Sequence, residues 1–300
     1  MTKIPGAKTR IGLLGTGPWA EHTHAPALAA HQGVEFAGVW GRRPEAAAKL
    51  AAAFGTRAYE DADALFEACD AVALALPPDV QAPLAARAAA AGCHVILDKP
   101  VATSAGTARE LADAVTGAGV ASVVFCTLRF APPTARWIAE QAAAGGWFLG
   151  EAHWLGSLFA PGSDSAYAAS PWRREKGGLW DVGPHVLSVY LPVLGDVTSV
   201  TCVPGPDDTR HLVLRHTSGA SSTATLTLSA PPGAAEAALS LYGERGRVTM
   251  PGWDGALEAF GGAVDALLEA VRTGEPHPCD VRFGARLTEI LAEAETQATA

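Results

Sequence analysis

The sequence is poor in cysteine and has no cysteine pair of the kind that binds zinc. Its five cysteines in 300 residues are scattered, and none belongs to a Cys-x-x-Cys motif. This pattern is typical of reduced, mostly buried thiols, and it disfavours both a disulfide framework and a structural zinc site. We therefore expect a cytoplasmic protein without a metal centre.

Long apolar runs and basic clusters are also missing. No segment approaches the roughly 18 consecutive apolar residues that suggest a membrane span, and the N-terminus does not show the pattern of an export signal. The net charge is −9, and no Lys/Arg cluster points to nucleic acid. We expect no membrane and no nucleic-acid partner. Hydrophobic residues make up 49% of the chain, which indicates a packed globular protein.

Strand and helix patterns alternate through residues 1–127. This alternation predicts right-handed crossovers and a parallel sheet with helices on both faces, an α/β doubly wound domain of the Rossmann type. The predicted strands are 10–14, 34–40, 71–76, 94–97 and 121–127, and the predicted helices are 19–31, 44–54, 80–91 and 104–118.

The pattern changes in residues 128–300, where several strands follow one another. We predict an α+β substrate-binding and oligomerisation domain with a large, mostly antiparallel sheet, whose last helix can pack back on the first domain. Its predicted elements are helix 133–144, strand 151–158, a polar loop over 160–180, strands 197–203, 211–216, 221–228, 237–242 and 247–250, and helices 256–273 and 282–297.

A glycine motif, GTGPWA, connects the first predicted strand to the first predicted helix. Gly15 permits a tight turn, Gly17 lets the backbone approach a pyrophosphate, and Ala20 allows close packing of helix on strand. The N–H groups and dipole of the helix start favour phosphate charge. The motif therefore predicts a dinucleotide site formed by Gly15, Thr16, Gly17, Pro18 and Trp19.

The residues after the second strand favour NADP, although NAD is possible. An NAD site usually has an acidic residue here for the ribose 2′-hydroxyl. This chain has Gly41 followed by Arg42 and Arg43, and a guanidinium pairs well with a 2′-phosphate. The alternative is that both arginines are solvated loop charges.

Two further segments contain charged or titratable residues that could take part in catalysis. Asp98 and Lys99 end a buried strand, where an open α/β sheet binds ligands, and the following Pro100 restricts Lys99 to extended backbone, with a cis bond as one option. In KGGLWDVGPH, Asp181 and His185 lie four residues apart, and Pro184 suits the start of a helix. The positive end of that helix favours a neutral imidazole that can accept a proton.

Together the three segments GTGPWA, DKP and GGLWDVGPH resemble the Gfo/Idh/MocA oxidoreductase family over nearly the whole chain. The resemblance implies a Rossmann domain followed by a domain with a mixed, mostly antiparallel sheet. It also implies that Lys99 stabilises the charge developing on the reacting oxygen, that His185 is the general acid or base, and that Asp181 orients the substrate or assists the histidine.

Other positions match the family less specifically, and each has a structural alternative. They are expected near the cofactor or substrate: Leu76, Pro77, Pro78, Asp98, Arg129, Trp172 and Arg173.

The chain also departs from the family pattern. Val189 stands where the family often has an aspartate or asparagine, and Gln81 stands where a histidine often follows the fourth strand. Five aromatic residues are expected to make the pocket wall rather apolar, which favours a deoxysugar, a partly apolar diol or a cyclic ketone: Trp154, Phe159, Tyr167, Trp172 and Trp180.

The predicted function is hydride transfer between a nicotinamide cofactor and a small hydroxyl or carbonyl substrate, such as a sugar, cyclic polyol, deoxysugar or dihydrodiol. Two alternatives from the same family are a non-catalytic dinucleotide-binding regulator and an NAD-dependent glycosidase. The resemblance also implies a homodimer or homotetramer formed through the C-terminal sheet, for which residues 221–228 are candidates.

Overall fold

Two six-stranded sheets organise the protein, each in a unit of its own. The computed structural model describes residues 8–253 and 255–298. The first unit contains the described residues up to Ala102 together with Gly106–Phe130 and Gly255–Ala285, and the second contains Thr103–Ala105 with most of the chain from Ala131 to residue 253 and from Arg286 onwards.

The sheet of the first unit is entirely parallel, with the strand order β3-β2-β1-β4-β5-β6. Its strands are β1 (Thr9–Leu14), β2 (Val34–Trp40), β3 (Ala58–Tyr59), β4 (Ala71–Leu74), β5 (His94–Asp98) and β6 (Ser122–Phe125). Both β4 and β6 are buried at every position, as expected when helices cover both faces of a parallel sheet. This confirms the predicted Rossmann-type sheet; β3 carries no sequence signal because it has only two residues.

Alanine-rich helices connect these strands. They are α1 (Ala25–Ala30), α2 (Pro44–Ala53), α3 (Ala62–Ala68), α4 (Pro78–Ala90) and α5 (Ala105–Gly117). Proline lies in the first turn of α1, α2 and α4, where its missing N–H costs no hydrogen bond. The helix pattern predicted after β1 is interrupted, because Ala20–His24 forms a π-helical segment before α1.

The sheet of the second unit has the order β12-β11-β7-β10-β9-β8. Only β7 and β10 pair in parallel, and the other neighbours are antiparallel, so the predicted mostly antiparallel sheet is confirmed. In β9, buried and exposed residues alternate, as in a sheet with one covered face. The strands are β7 (Trp147–Leu155), β8 (Val197–Pro204), β9 (Arg210–His216), β10 (Ser221–Thr227), β11 (Glu236–Gly243) and β12 (Gly246–Thr249).

The helices of the second unit contradict one sequence prediction. Residues 160–180 were expected to form a polar loop, but a helix begins at Pro171. Proline in its first turn favours this start, whereas the two glycines in Lys-Gly-Gly argue against a helix in sequence. Gly177 indeed breaks the regular helix with φ +64°. The helices are α6 (Pro132–Ala144), α7 (Pro171–Asp181) and α8 (Gly183–Leu194).

Two long helices complete the chain, α9 (Ala256–Thr273) in the first unit and α10 (Val281–Ala298) at the C-terminal end. Among the residues that the structure describes, no helix has the length and apolarity needed to cross a membrane. All five cysteines are buried and unbridged.

His24 is a fully buried histidine in the segment that leads from the glycine turn to α1. Its ring centroid lies 4.1 Å from that of Phe260 and 5.9 Å from that of Phe125. Its Nδ1 lies 3.4 Å from the carbonyl oxygen of Trp19, and its Nε2 has no hydrogen-bond partner among the described residues. Burial disfavours the charged ring and lowers the pKa of His24 to about 3.

This burial predicts that His24 makes folding sensitive to acid. Between pH 6.5 and pH 3 the unfolded chain binds a proton at this ring and the folded chain does not, so stability falls as the pH falls. Relative to a His24→Phe variant, the wild-type unfolding free energy should decrease by about 1.4 kcal/mol per pH unit below 6.5. Urea unfolding at pH 7 and pH 5 measures this difference.

The matched control is His22→Phe, because His22 lies on the same segment but is exposed. This control should keep the wild-type pH dependence. Equal pH dependence in the His24→Phe variant and the wild type would show that the buried ring is not the acid-sensitive group.

Candidate functional site

The glycine turn after β1 has the form that a dinucleotide pyrophosphate requires. Gly15 has φ +130°, and a Cβ there would lie 2.4 Å from the carbonyl oxygen of Ala75, so no other residue fits. A Cβ at Gly17 would meet nothing within 4 Å, which leaves the backbone open to an approaching phosphate. Helical backbone follows at once, with the N–H of Glu21 donating to the carbonyl of Gly17 at 3.0 Å. These features fit phosphate at a helix start.

The end of β2 lies against the same turn. The N–H of Gly15 donates to the carbonyl of Trp40 at 2.9 Å, and a Cβ at Gly41 would lie 2.6 Å from Cγ2 of Thr16. Arg42 and Arg43 follow and are exposed. Neither guanidinium forms an ion pair with a carboxylate in the described part of the chain, so both are available to an anionic ligand.

In this sheet β4 lies beside β1, and β5 lies beside β4. Leu76, Pro77 and Pro78 connect β4 to α4, and Asp98 is the last residue of β5. Lys99 is partly exposed, and its peptide bond to Pro100 is cis. Since parallel strands all end at the same edge, the residues predicted to bind the cofactor after β1, β2, β4 and β5 share the carboxyl edge of the sheet, where open α/β sheets bind ligands.

Arg129 follows β6 in a short 3₁₀ turn at this edge. Its guanidinium carbon lies 5.4 Å from the ring centroid of Phe283. Burial lowers the pKa of His277, and the positive charge of Arg129 lowers it further. The side chain thus lies against the first turn of α10.

In the second unit, α7 places Arg173 against Asp181. The Nε atom of Arg173 lies 3.1 Å from Oδ2 of Asp181, whose side chain is only 12% exposed. The guanidinium also covers the rings of Trp172 and Tyr167, at 4.6 and 5.3 Å. The candidate carboxylate is therefore held by a cation that itself packs on two aromatic rings.

His185 lies in the first turn of α8, as predicted, and is largely buried. Its ring stacks on Trp154 with the centroids 4.7 Å apart and the planes inclined by 12°. Trp253 lies 6.5 Å from His185 and 6.2 Å from Trp154. Sequence reasoning missed Trp253, because no motif surrounds it.

The aromatic wall predicted from sequence is only partly correct. Trp180 is fully buried, and its Nε1 donates to Oε1 of Glu295 at 2.9 Å. Lys176 binds the same carboxylate at 3.0 Å. Trp180 therefore belongs to the core of the second unit and does not line a pocket, because its apolar surface and its single donor are both satisfied internally.

The kink in α7 depends on Asp208, a second residue that sequence reasoning missed. The carboxylate accepts the N–H groups of Gly178 at 2.8 Å and Leu228 at 2.9 Å, and the hydroxyl of Thr227 at 2.7 Å. Burial raises the pKa of Asp208, but these hydrogen bonds and one from Ser229 outweigh it, so the pKa is lowered. The carboxylate thus fixes the glycine segment that leads to Asp181.

Gln81 is the third residue whose importance appears only in the structure. It was noted as a departure from the family pattern, yet its side chain is completely buried. Its amide forms hydrogen bonds with the backbone of Asp98 and Pro100, on both sides of Lys99. Within the described residues, no cluster of three or more His, Cys, Asp or Glu side chains could hold a metal ion.

Family models match both halves of the chain. Residues 9–125 match a model described as an oxidoreductase family with an NAD-binding Rossmann fold. Residues 133–249 match the GFO/IDH/MocA C-terminal domain.

Characterised relatives are moderately similar. A dTDP-3,4-didehydro-2,6-dideoxy-alpha-D-glucose 3-reductase of Streptomyces violaceoruber is 31% identical over 214 residues, covering 69% of this chain and 58% of the reductase. The match thus spans little more than half of that relative's length. The rhizopine catabolism protein MocA of Rhizobium meliloti is 30% identical over 239 residues, covering 75% of this chain and 73% of MocA.

A solved structure shows the same fold over nearly the full length. The WlbA dehydrogenase from Bordetella pertussis, in complex with NADH and UDP-GlcNAcA, has a TM-score of 0.84 at 23% identity, covering 99% of this chain and 97% of WlbA. Because the two family models together account for well over half of the sequence, the chain belongs to the Gfo/Idh/MocA oxidoreductase family, with its NAD-binding Rossmann fold.

Proposed function

We propose that this protein is an NAD(P)-dependent oxidoreductase that transfers hydride between nicotinamide and a hydroxyl or carbonyl carbon of a small sugar-like substrate. One observation carries the proposal: the glycine turn after β1 and Lys99 after β5 lie on the carboxyl edge of one parallel sheet. The turn has the open backbone that a pyrophosphate needs, and the lysine follows a strand two places away in the sheet. A cofactor bound there would supply the hydride carrier.

Lys99 acts on the reacting oxygen in this proposal. Its ammonium donates a hydrogen bond to the substrate oxygen and stabilises the negative charge that grows there during hydride loss or gain. The neighbouring Asp98 carboxylate accepts the backbone N–H of Lys99 at 3.0 Å, which stabilises the backbone at this position.

His185 is the general acid or base in this proposal. One ring nitrogen takes the hydroxyl proton during oxidation and returns it during reduction. The stacked ring of Trp154 restricts the imidazole to one plane. Asp181 orients the substrate or the histidine, and its ion pair with Arg173 holds the carboxylate in place.

The substrate class follows from the surroundings of His185. Trp154 and Trp253 present aromatic surface close to this ring, and aromatic rings pack well on the C–H face of a sugar. The reductase of Streptomyces violaceoruber is named for a dideoxy sugar nucleotide. These observations favour deoxysugars over unsubstituted polyols, and the name of the reductase adds nucleotide-activated deoxysugars to the candidates.

Replacing Lys99 with Met should separate chemistry from cofactor binding. We expect kcat to fall by about 100- to 1,000-fold, because the growing oxyanion loses its donor, while the Kd of the reduced cofactor changes little. The assay follows nicotinamide absorbance with nucleotide-activated deoxysugars, cyclic polyols and aromatic dihydrodiols. Lys49→Met, a change at an exposed lysine, is the control.

Other outcomes of this assay, and of a parallel incubation with aryl glycosides, would support the alternative functions. Retained turnover in Lys99→Met would remove the lysine from the mechanism. Cofactor binding without turnover of any substrate would support the regulator, and release of aryl alcohol from glycosides without net reduction would support the glycosidase.

The cofactor in this proposal is preferentially NADP. Arg42 and Arg43 are exposed after β2, where a ribose 2′ group is recognised in this fold, and no acidic residue stands in their place. Guanidinium groups bind a phosphate by paired, charge-assisted hydrogen bonds.

The double substitution Arg42→Ala with Arg43→Ala tests this preference. We expect the Kd for NADPH to rise at least about 10-fold, a loss of about 1.4 kcal/mol, and the Kd for NADH to change by less than about threefold. Fluorescence titration measures both constants, with Lys49→Ala on α2 as the control. If NADH binds more tightly than NADPH to the wild type, the preference is for NAD.

The outer face of the second sheet is proposed to form a homodimer or homotetramer. The register places Val213 of β9 between Thr201 of β8 and Thr223 of β10, and Val213 and Val203 are 51% and 55% exposed. Exposed valines beside short threonine side chains make a flat surface that a second copy of this sheet can cover.

Placing a charge on this face should dissociate the oligomer. Val213→Lys should convert the wild-type species to monomer in sedimentation velocity at micromolar concentration, because the buried ammonium has no partner. Leu257→Lys, at an exposed leucine of α9, should leave the oligomer intact. A monomeric wild type, or an unchanged oligomer in Val213→Lys, would refute this interface.

A further inference from the structure

Gln81 lies one turn into α4 and has no solvent-exposed surface. A buried primary amide must form hydrogen bonds, because donors or an acceptor left unpaired lose their hydration without compensation. In this protein, every hydrogen bond of the Gln81 side chain goes to the backbone of one short segment, which runs from Asp98 to Val101.

The contacts enclose the backbone on both sides of Lys99. The N–H of Asp98 donates to Oε1 of Gln81 at 2.7 Å, and Nε2 of Gln81 donates to the carbonyl of Asp98 at 2.9 Å. The same Nε2 lies 3.3 Å from the carbonyl oxygen of Pro100 and 3.4 Å from that of Val101. One side chain therefore binds the residue before Lys99 and the two residues after it.

Sheet geometry explains why a side chain is needed at this position. β4 pairs with β5 only from Ala71 and His94 to Ala73 and Ile96. On its other side, β5 remains paired with β6 as far as Asp98. Beyond the end of the pairing with β4, the amide of Gln81 pairs with the N–H and carbonyl of Asp98, offering one acceptor and one donor in place of the strand.

We propose that Gln81 is a positioning residue for Lys99: its amide fixes the turn at the end of β5 and thereby sets where the lysine ammonium meets the reacting oxygen. This inference rests on the proposed function, in which Lys99 acts on that oxygen. An offset of about 1 Å in such a group can cost about 100-fold in rate, so a fixed backbone at this position affects turnover directly.

A double-mutant cycle between Gln81 and Lys99 tests whether one acts through the other. Methionine at 81 has nearly the same volume but no donor and only a weak thioether acceptor. Gln81→Met alone should lower kcat by about 10- to 100-fold and leave the Kd of the reduced cofactor within about threefold. In the Lys99→Met background the same change should lower kcat by less than about twofold, because no ammonium is left to misplace.

Further variants separate positioning from simple loss of structure. Gln81→His keeps one N–H donor and one ring acceptor, and it should recover most of the lost kcat. Gln32→Met, at an exposed glutamine of the same unit, should have wild-type kcat. If Gln81→Met does not fold, Gln81→Asn replaces it in the cycle, because its amide is one methylene too short to reach Asp98.

The outcomes distinguish this inference from the proposed function. If Lys99→Met alone retains turnover, the proposed role of the lysine fails and the inference fails with it. If Lys99→Met is inactive but Gln81→Met has wild-type kcat, or lowers kcat by the same factor in both backgrounds, only the role of Gln81 is refuted.

Discussion

The first unit depends on how backbone groups are paired at the carboxyl edge of its parallel sheet, where neighbouring strands end at different positions. Strands of unequal length leave backbone N–H and carbonyl groups that must be paired. At β1, the N–H of Gly15 finds the carbonyl of Trp40, and at β5 the amide of Gln81 takes the place of a strand. The edge that would bind a ligand is thus also an edge where side-chain and loop hydrogen bonds hold the backbone.

Local signals explain how much of this fold the sequence could predict. Apolar runs predicted five of the six strands of the parallel sheet, and the glycine motif predicted the turn, since the φ of +130° at Gly15 disfavours any side chain. The first turn of α8 followed from Pro184. These features are encoded within a few residues of where they act, which is why a single sequence sufficed.

Contacts between distant segments could not be predicted in the same way. Asp208 binds Gly178 across 30 positions, and Trp253 reaches His185 from a segment without a motif. The helix that begins at Pro171 was not predicted, because the two adjacent glycines within it disfavour helix. Its kink is held by the carboxylate of Asp208, which lies in the loop between β8 and β9. Even Gln81, which the sequence marked as unusual, acquires a role only when its distance to Asp98 is known.

The two units solve the same problem with the same chemistry. Gln81 binds the backbone beside Lys99, and Asp208 binds the glycine segment that precedes Asp181. In both cases a polar side chain, buried at Gln81 and half-buried at Asp208, provides the hydrogen-bond partner of a backbone group. Each hydrogen bond adds only about 1 kcal/mol to stability, but an unmade one costs more. Such a side chain therefore raises the free energy of displaced conformations by more than it lowers that of the native fold. A residue that acts on a reacting atom needs this effect, because its position must be fixed closely.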